Sequence, residues 1–240
     1  MLSLVGLGLN DENDVTRKAF AVLRDADVIY CELFTNKWHG DLGAIEKDVG
    51  KNIIVIDRQE AESAFLIEEA RTKNVALLVP GDPLAATTHF SLLAACKRDG
   101  VAVNVVHASS ILTAVAETGL HLYKFGRTTT LCFPSRGFEP QSPYEAIRAN
   151  KRAGLHTLIL LDVQEERYMA VADALALLQE HAPDVTQGAL LAASRLGAQE
   201  QKIAYGTVEQ LLRERFDVPA VVIVPGTLHF TEEEALRLWM

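Results

Sequence analysis

Apolar positions in the first half of the chain fall into short runs rich in Val, Ile and Leu, separated by longer stretches in which they recur every three or four residues. The runs at 2–5, 28–31, 53–56, 75–79 and 101–106 predict strands, and the stretches 14–24, 59–73 and 87–98 predict helices. Asp14 stands where it can cap the first of these helices, and Thr87 or Thr88 the third. Continuous apolar strands alternating with helices predict a mostly parallel sheet covered by helices.

Beyond about Gly119 the pattern restarts, with strands expected near 129–133 and 155–161 and a helix over 165–180. On that helix Met169, Ala172, Leu175 and Leu178 recur at helical spacing, opposite Asp173 and Glu180. Two further runs, 188–195 and 202–206, are joined by a short polar loop and predict a hairpin. A last apolar run at 220–224 precedes a short acidic helix over 231–238. A hairpin in the second half only predicts an α/β fold of two domains: a parallel-sheet domain over 1–112 and a mixed-sheet domain over 113–240. The join is expected between Ser109 and Gly119, and the ligand site in a cleft between the two.

Composition narrows the class. With 240 residues, 49% of them hydrophobic and 23% charged, the chain has ample material for a core, which sets disorder aside. The opening MLSLVGLGL lacks a basic start and a cleavage site, and the polar run 10–14 follows at once, so it predicts a first strand rather than a signal. No apolar stretch approaches the roughly 18 to 20 residues of a membrane span, so a soluble protein is expected. Cys31, Cys96 and Cys132 are odd in number and far apart, which suggests neither a disulfide framework nor a zinc site and fits a reducing cytoplasm. The net charge of −9 argues against a nonspecific binder of nucleic acid or anionic membrane. It suits a basic partner surface, although solubility alone explains it equally well.

Several segments carry candidate chemistry. Gly6-Leu7-Gly8-Leu9 follows the first strand, but Asp11 occupies the position of the third glycine in a dinucleotide fingerprint and would repel a phosphate, so a tight turn is favoured. Pro80-Gly81-Asp82-Pro83 lies at the carboxyl end of the fourth strand, where open α/β sheets place ligands; spacing alone leaves binding and a plain rigid turn both open. A carboxylate there suits ribose hydroxyls or a nearby cation such as a sulfonium. Thr87-Thr88-His89 reads as a helix start. In His107-Ala108-Ser109-Ser110 either serine can cap the next helix, and no fixed base partner supports a hydrolase triad. His121, His156 and His229 each sit beside apolar residues and remain unassigned on sequence grounds.

Taken together, GLGL at 6–9, VPGDPLAATTH at 79–89, HASSI at 107–111, TGLHLYKFGRTTT at 118–130, GLHTLILLDV at 154–163 and VPGTLH at 224–229 resemble the diphthine synthases, which lie within the tetrapyrrole methylase fold class. The resemblance runs from the first strand to about His229 and rests on the joint order and spacing of these segments. It implies two α/β domains with the cofactor in the cleft between them, and a homodimer. It also implies a reaction, in which methyl groups pass from S-adenosylmethionine to the amino group of a 3-amino-3-carboxypropyl histidine on translation elongation factor 2. S-adenosylhomocysteine is the by-product, and the expected modification is trimethylated diphthine.

Carried over position by position, the resemblance implies cofactor contacts from Leu9, Asp82, Ala85, Ser110, Ile111, Leu161, Ala193 and His229, with Ser194 as the alternative to Ala193 and no metal. Ala85 and Leu161 would act through backbone groups. Methyl transfer from a sulfonium needs alignment and water exclusion rather than a covalent protein intermediate; Asp82 and His229 are candidate helpers in deprotonating the amine, and no catalytic residue is assigned. The segment 58–62 departs from the family's acidic pattern, and 134–140 is shortened, both bearing on recognition of the protein substrate. A precorrin-type tetrapyrrole methyltransferase and a noncatalytic module that senses adenosyl ligands are the competing readings.

Overall fold

Apolar runs that are buried along their whole length need cover on both faces, and the first 114 residues supply it. In the computed structural model, which describes residues 1–134, 140–164 and 167–240, the chain divides into two compact units, Met1–Ala114 and Val115–Met240. The N-terminal unit runs β1 (Leu2–Gly6), α1 (Arg17–Asp25), β2 (Val28–Glu32), α2 (Leu42–Val49), β3 (Ile53–Ile56), α3 (Arg58–Glu62), α4 (Phe65–Ala70), β4 (Val75–Val79), α5 (Phe90–Arg98), β5 (Val103–Val106) and the single turn α6 (Ile111–Ala114). Its five strands form one parallel sheet in the order β3-β2-β4-β1-β5. Alternate residues of the central strands feed two cores. Leu4 and Leu77 join Leu66 and Leu92 on one face, while Val5, Leu78 and Ile29 join Leu23 and Ile45 on the other.

The helix starts differ from those expected. Thr16, not Asp14, caps α1 by accepting the Ala19 amide at 3.1 Å; Asp14 ends a 3-10 turn and accepts the Asn10 amide instead. Neither Thr87 nor Thr88 caps α5, which starts after His89 without a side-chain cap. The stretch expected as one helix over 59–73 is two, because Ser63 donates to the Glu60 carbonyl and accepts the Phe65 amide, taking over backbone partners that a continuous helix needs. Helix α2 was not expected, although Asp41 caps it and Leu42, Ile45 and Val49 have helical spacing.

The C-terminal unit runs β6 (Thr129–Leu131), α7 (Ser142–Arg152), β7 (Thr157–Leu161), β8 (Val163–Gln164), β9 (Arg167–Tyr168), α8 (Val171–His181), β10 (Leu190–Ser194), β11 (Lys202–Gly206), α9 (Val208–Leu211), β12 (Ala220–Val224) and α10 (Phe230–Leu236). Its five-stranded sheet is mixed, in the order β11-β10-β12-β7-β6, with β6 and β7 parallel and the other neighbours antiparallel. The predicted hairpin is β10–β11. Helices α7, α8 and α9 cover one face of the sheet, packing Ile147, Leu175, Leu178 and Leu211 against Ile159, Ala192 and Val222.

The helix expected over 165–180 begins at Val171; Glu165 and Glu166 lie outside the described residues, and the β8–β9 ribbon occupies the positions around them. Its buried side is Val171, Ala174, Leu175, Leu177 and Leu178, so Ala172 faces water instead of the core, and Met169 is buried ahead of the helix. The shortened segment noted at 134–140 falls mostly on residues 135–139, also outside the described residues. Among the described residues, no helix is long and apolar enough to cross a membrane.

Candidate functional site

In a parallel sheet the loops after the carboxyl ends of neighbouring strands collect at one edge, where ligands bind. Here β1 lies between β4 and β5, so residues 7–10, 80–89 and 107–110 share that edge. They are fastened to each other. Gly8 and Gly81 exchange backbone hydrogen bonds in both directions, at 3.2 and 2.8 Å, so these amides are spent and the tight-turn reading of GLGL holds. Gly8 has φ +82, and a Cβ there would stand 2.3 Å from that of Asp14, which only glycine avoids. The Leu9 amide donates to Ser109 Oγ at 3.2 Å, while Ser110 Oγ accepts the Leu112 amide at 3.2 Å and its carbonyl starts α6. Ser110 is therefore the cap, and Ser109 the tether.

Asp82 is the main fastener of this edge. Its Oδ1 accepts the Leu84 amide at 3.0 Å; its Oδ2 accepts the Ala108 amide at 3.2 Å and lies 2.7 Å from His107 Nδ1. A carboxylate accepts about four hydrogen bonds, which leaves one place on Oδ1 for a ligand. Beside it the chain is open: a side chain on Gly81 would meet nothing within 4 Å. Leu9, Ala85 and Ile111 are half-buried around the same edge, and Ser110 is buried. Leu9, Asp82, Ala85 and Ser110 thus belong to the three strand-end segments, and Ile111 opens α6 directly after the third.

A buried carboxylate that the sequence reading did not single out also lies in this unit. Glu32 ends β2, fully enclosed, and accepts the Phe34 and Thr35 amides and the Thr35 hydroxyl. Burial raises its carboxyl above the usual range despite those bonds. His89 Nε2 lies 3.9 Å away, and burial lowers that imidazole.

In the C-terminal unit the named residues separate. The register aligns Ala193 with Val221 and Val221 with Leu160, so Leu161 and Ala193 lie toward the same end of the sheet. His229 follows β12 past its other end, where Val224 pairs with Thr157. Ala193 is buried and interior to the sheet; Ser194, the alternative, ends the strand.

Around His229 the chain builds a polar cluster on Glu232, which has no exposure to water. Its Oε1 accepts the His121 amide at 2.8 Å and His156 Nε2 at 2.9 Å; its Oε2 accepts the His229 amide at 2.8 Å and the Lys124 ammonium. Burial alone would push this carboxyl up. The bonds from Lys124, from the two amides and from His156 outweigh it and hold the group at about 2. His156 is enclosed and accepts the Gly226 amide on Nδ1, so Nε2 carries the proton and the ring is neutral, as its burial-lowered basicity requires. At the rim, Thr231 Oγ1 lies 2.8 Å from His229 Nδ1 and 3.2 Å from His121 Nε2. His121, His156 and His229 are thus structural partners in one network. Its centre, Glu232, escaped sequence reading because a histidine, rather than Ser, Thr, Asp or Asn, stands at the cap three residues earlier.

Among the described residues, the two non-glycine residues with positive φ are Ala86, at +58, and Arg195, at +48. One follows Ala85 and the other lies two residues beyond Ala193. Strain of this kind concentrates at functional segments.

Comparison with known proteins agrees across the whole chain. Residues 1–212 match the model of the tetrapyrrole (corrin/porphyrin) methylases. The chain is 40% identical to the diphthine synthase of Methanocaldococcus jannaschii, covering 99% of this chain and 98% of that one, and 41% identical to that of a Methanococcus maripaludis strain, with the same coverage. Among solved structures it is similar to a diphthine synthase crystal structure at TM-score 0.92 and 36% identity, covering 99% of this chain and 95% of that one. It is also similar to a putative diphthine synthase from Entamoeba histolytica at TM-score 0.90 and 33% identity, covering 100% and 98%.

Two measurements test this geometry. Asp82→Ala removes three internal hydrogen bonds, so without any ligand its unfolding free energy should fall by about 1–3 kcal/mol in urea titration; a parent-like value would mean that the edge is held by its backbone alone. For Glu232 the folded pKa is depressed from the usual 4.5 to about 2, so its contribution is present above pH 4.5 and fades as pH falls toward 2. That contribution is on the order of 3 kcal/mol. Glu232→Gln should destabilise strongly at pH 7, and the gap to the parent should narrow between pH 4.5 and pH 2; a gap independent of pH would show that the charge of Glu232 contributes nothing.

Proposed function

Because the chain belongs to the diphthine synthases of the tetrapyrrole methylase family, we propose that it transfers methyl groups from S-adenosylmethionine to the amino group of a 3-amino-3-carboxypropyl histidine on translation elongation factor 2, in diphthamide biosynthesis. The observation that carries this reading is identity near 40% with curated diphthine synthases over almost the full length of both chains. The product is the trimethylated form, diphthine, and the enzyme works as a cytoplasmic homodimer.

Leu9, Asp82, Ala85, Ser110, Ile111, Leu161, Ala193 and His229 are the proposed cofactor contacts. Three features support the N-terminal group: the open backbone at Gly81, the remaining acceptor place on Asp82 Oδ1, and the Ser110 hydroxyl, whose oxygen is used in capping while its hydrogen stays free to donate. When bound, S-adenosylmethionine supplies an electrophilic methyl carbon on a sulfonium. The residues of this chain bind and align it, and the carboxylate of Asp82 favours the neighbouring positive charge. No covalent protein intermediate is needed, so a site made largely of backbone groups and small side chains suffices.

The test is mass spectrometry of archaeal elongation factor 2 carrying the 3-amino-3-carboxypropyl histidine, after incubation with this protein and S-adenosylmethionine. A gain of three methyl groups confined to that histidine is expected. No gain, where a control diphthine synthase modifies the same substrate, would overturn the reading in favour of a tetrapyrrole methyltransferase or a noncatalytic adenosyl-ligand sensor.

A further inference from the structure

We propose that Arg195 is a carboxylate-binding, specificity-determining residue, which takes the α-carboxylate of an amino-acid-bearing ligand at two points by displacing Glu200. The inference rests on the function proposed above, because that reaction offers two such carboxylates, one on the methionine part of the cofactor and one on the aminocarboxypropyl acceptor.

Arg195 is the first residue after β10, and its backbone is held. Its amide donates to the Pro219 carbonyl at 3.0 Å, its carbonyl accepts the Ala198 amide at 3.0 Å, and Gln201 Oε1 accepts the Gly197 amide at 2.8 Å to close the turn. Within that turn Arg195 holds φ +48, a conformation that disfavours any side chain. A left-handed arginine in a well-bonded turn, where glycine would fit without strain, points to a use for the guanidinium.

The side chain is placed for that use. It is only 17% exposed, and its Nε is enclosed without a hydrogen-bond partner. Nη2 lies 3.3 Å from Oε2 of Glu200, a side chain that is itself 62% exposed. In a guanidinium, Nε–H and the neighbouring Nη–H form the parallel edge that grips a carboxylate at two points. Glu200 touches this edge at one point and leaves the other donor unmet, an arrangement that costs free energy and invites a better acceptor. Because Glu200 projects into water, it can swing away without unfolding anything else.

The position fits the ligand. The register Ser194–Ala220 and Val221–Leu160 puts Arg195 at the end of the sheet that carries Leu161 and Asp162. At that end Asp162 Oδ2 accepts the Phe133 amide and the Gln164 side chain, both at 2.9 Å.

The experiment measures binding of S-adenosylhomocysteine and of methylthioadenosine, which keeps the nucleoside and sulfur but lacks the carboxylate, together with the KM of the modified elongation factor. It uses the parent, R195Q, R195K and E200Q, with thermal midpoints recorded without ligand. If the cofactor supplies the carboxylate, R195Q weakens S-adenosylhomocysteine by about ten- to a hundred-fold and leaves methylthioadenosine unchanged. If the acceptor supplies it, both nucleosides bind as before and the acceptor KM rises by a similar factor. In either case R195K, which keeps the charge without the two-point edge, recovers only part, and E200Q tightens the same ligand. R195K carries the test if R195Q does not fold. Variants at Arg195 that match a binding and active parent in every constant overturn this inference alone. A parent that binds neither nucleoside and methylates nothing overturns the proposed function and this inference together.

Discussion

A carboxylate that keeps its charge without touching water must find all its partners in the protein, and Glu232 imposes that demand on the C-terminal unit. Its four contacts come from residues 121, 124, 156 and 229, in three segments far apart in the chain, so satisfying one side chain fixes where the chain before β6, the start of β7 and the loop after β12 meet. Lys124 extends the tie by also donating to the Thr227 carbonyl, and His156 by accepting the Gly226 amide. A buried pair of this kind adds little over an apolar substitute, but removing one member leaves the other stranded. Its value is in specifying one arrangement.

The N-terminal unit reaches the same end differently. Its parallel sheet is covered on both faces, so the carboxyl edge is where chain chemistry is free to vary, and there the fastening is mostly backbone to backbone. Gly8 and Gly81 pair directly, and Asp82 adds a carboxylate bridge from the loop after β4 to the loop after β5. Three of the acceptor places of Asp82 hold the edge in shape and one is left over. A ligand bound there would meet a preformed surface rather than order a loose one, which reduces the entropy lost on binding.

Much of this was legible in the sequence because burial on both faces leaves an unbroken apolar run. VALLV at β4 could hardly be anything but a central strand, and the hairpin β10–β11 followed from two runs and a polar turn. Helix starts were less legible, since Thr16, Asp14, Thr87 and Thr88 offer similar chemistry and only tertiary contacts choose among them. The break at Ser63 turned on one hydroxyl bonding in two directions. For the site, the strand-end segments of the N-terminal unit could be read because a parallel sheet collects them at one edge whatever their composition. Glu232 could not, for its importance depends on His121 and Lys124 from over a hundred residues away and on His156 from another distant segment, and in sequence it is one of three consecutive glutamates.

Backbone strain supplies a line of argument independent of resemblance. A non-glycine residue with positive φ costs about 1–3 kcal/mol and survives only where its surroundings over-determine it. Both examples among the described residues meet that condition: Ala86 between the Ala85 amide bonded to the Asp82 carbonyl and the Thr87 hydroxyl bonded to the Pro83 carbonyl, Arg195 within its own closed turn. Were stability the only requirement, glycine at either place would relieve the strain at no loss of fold. Alanine at 86 gives up that relief for a stiffer loop beside Asp82, and arginine at 195 gives it up for a charge. The two strained positions fall one residue after Ala85 and two after Ala193, residues singled out on entirely different grounds.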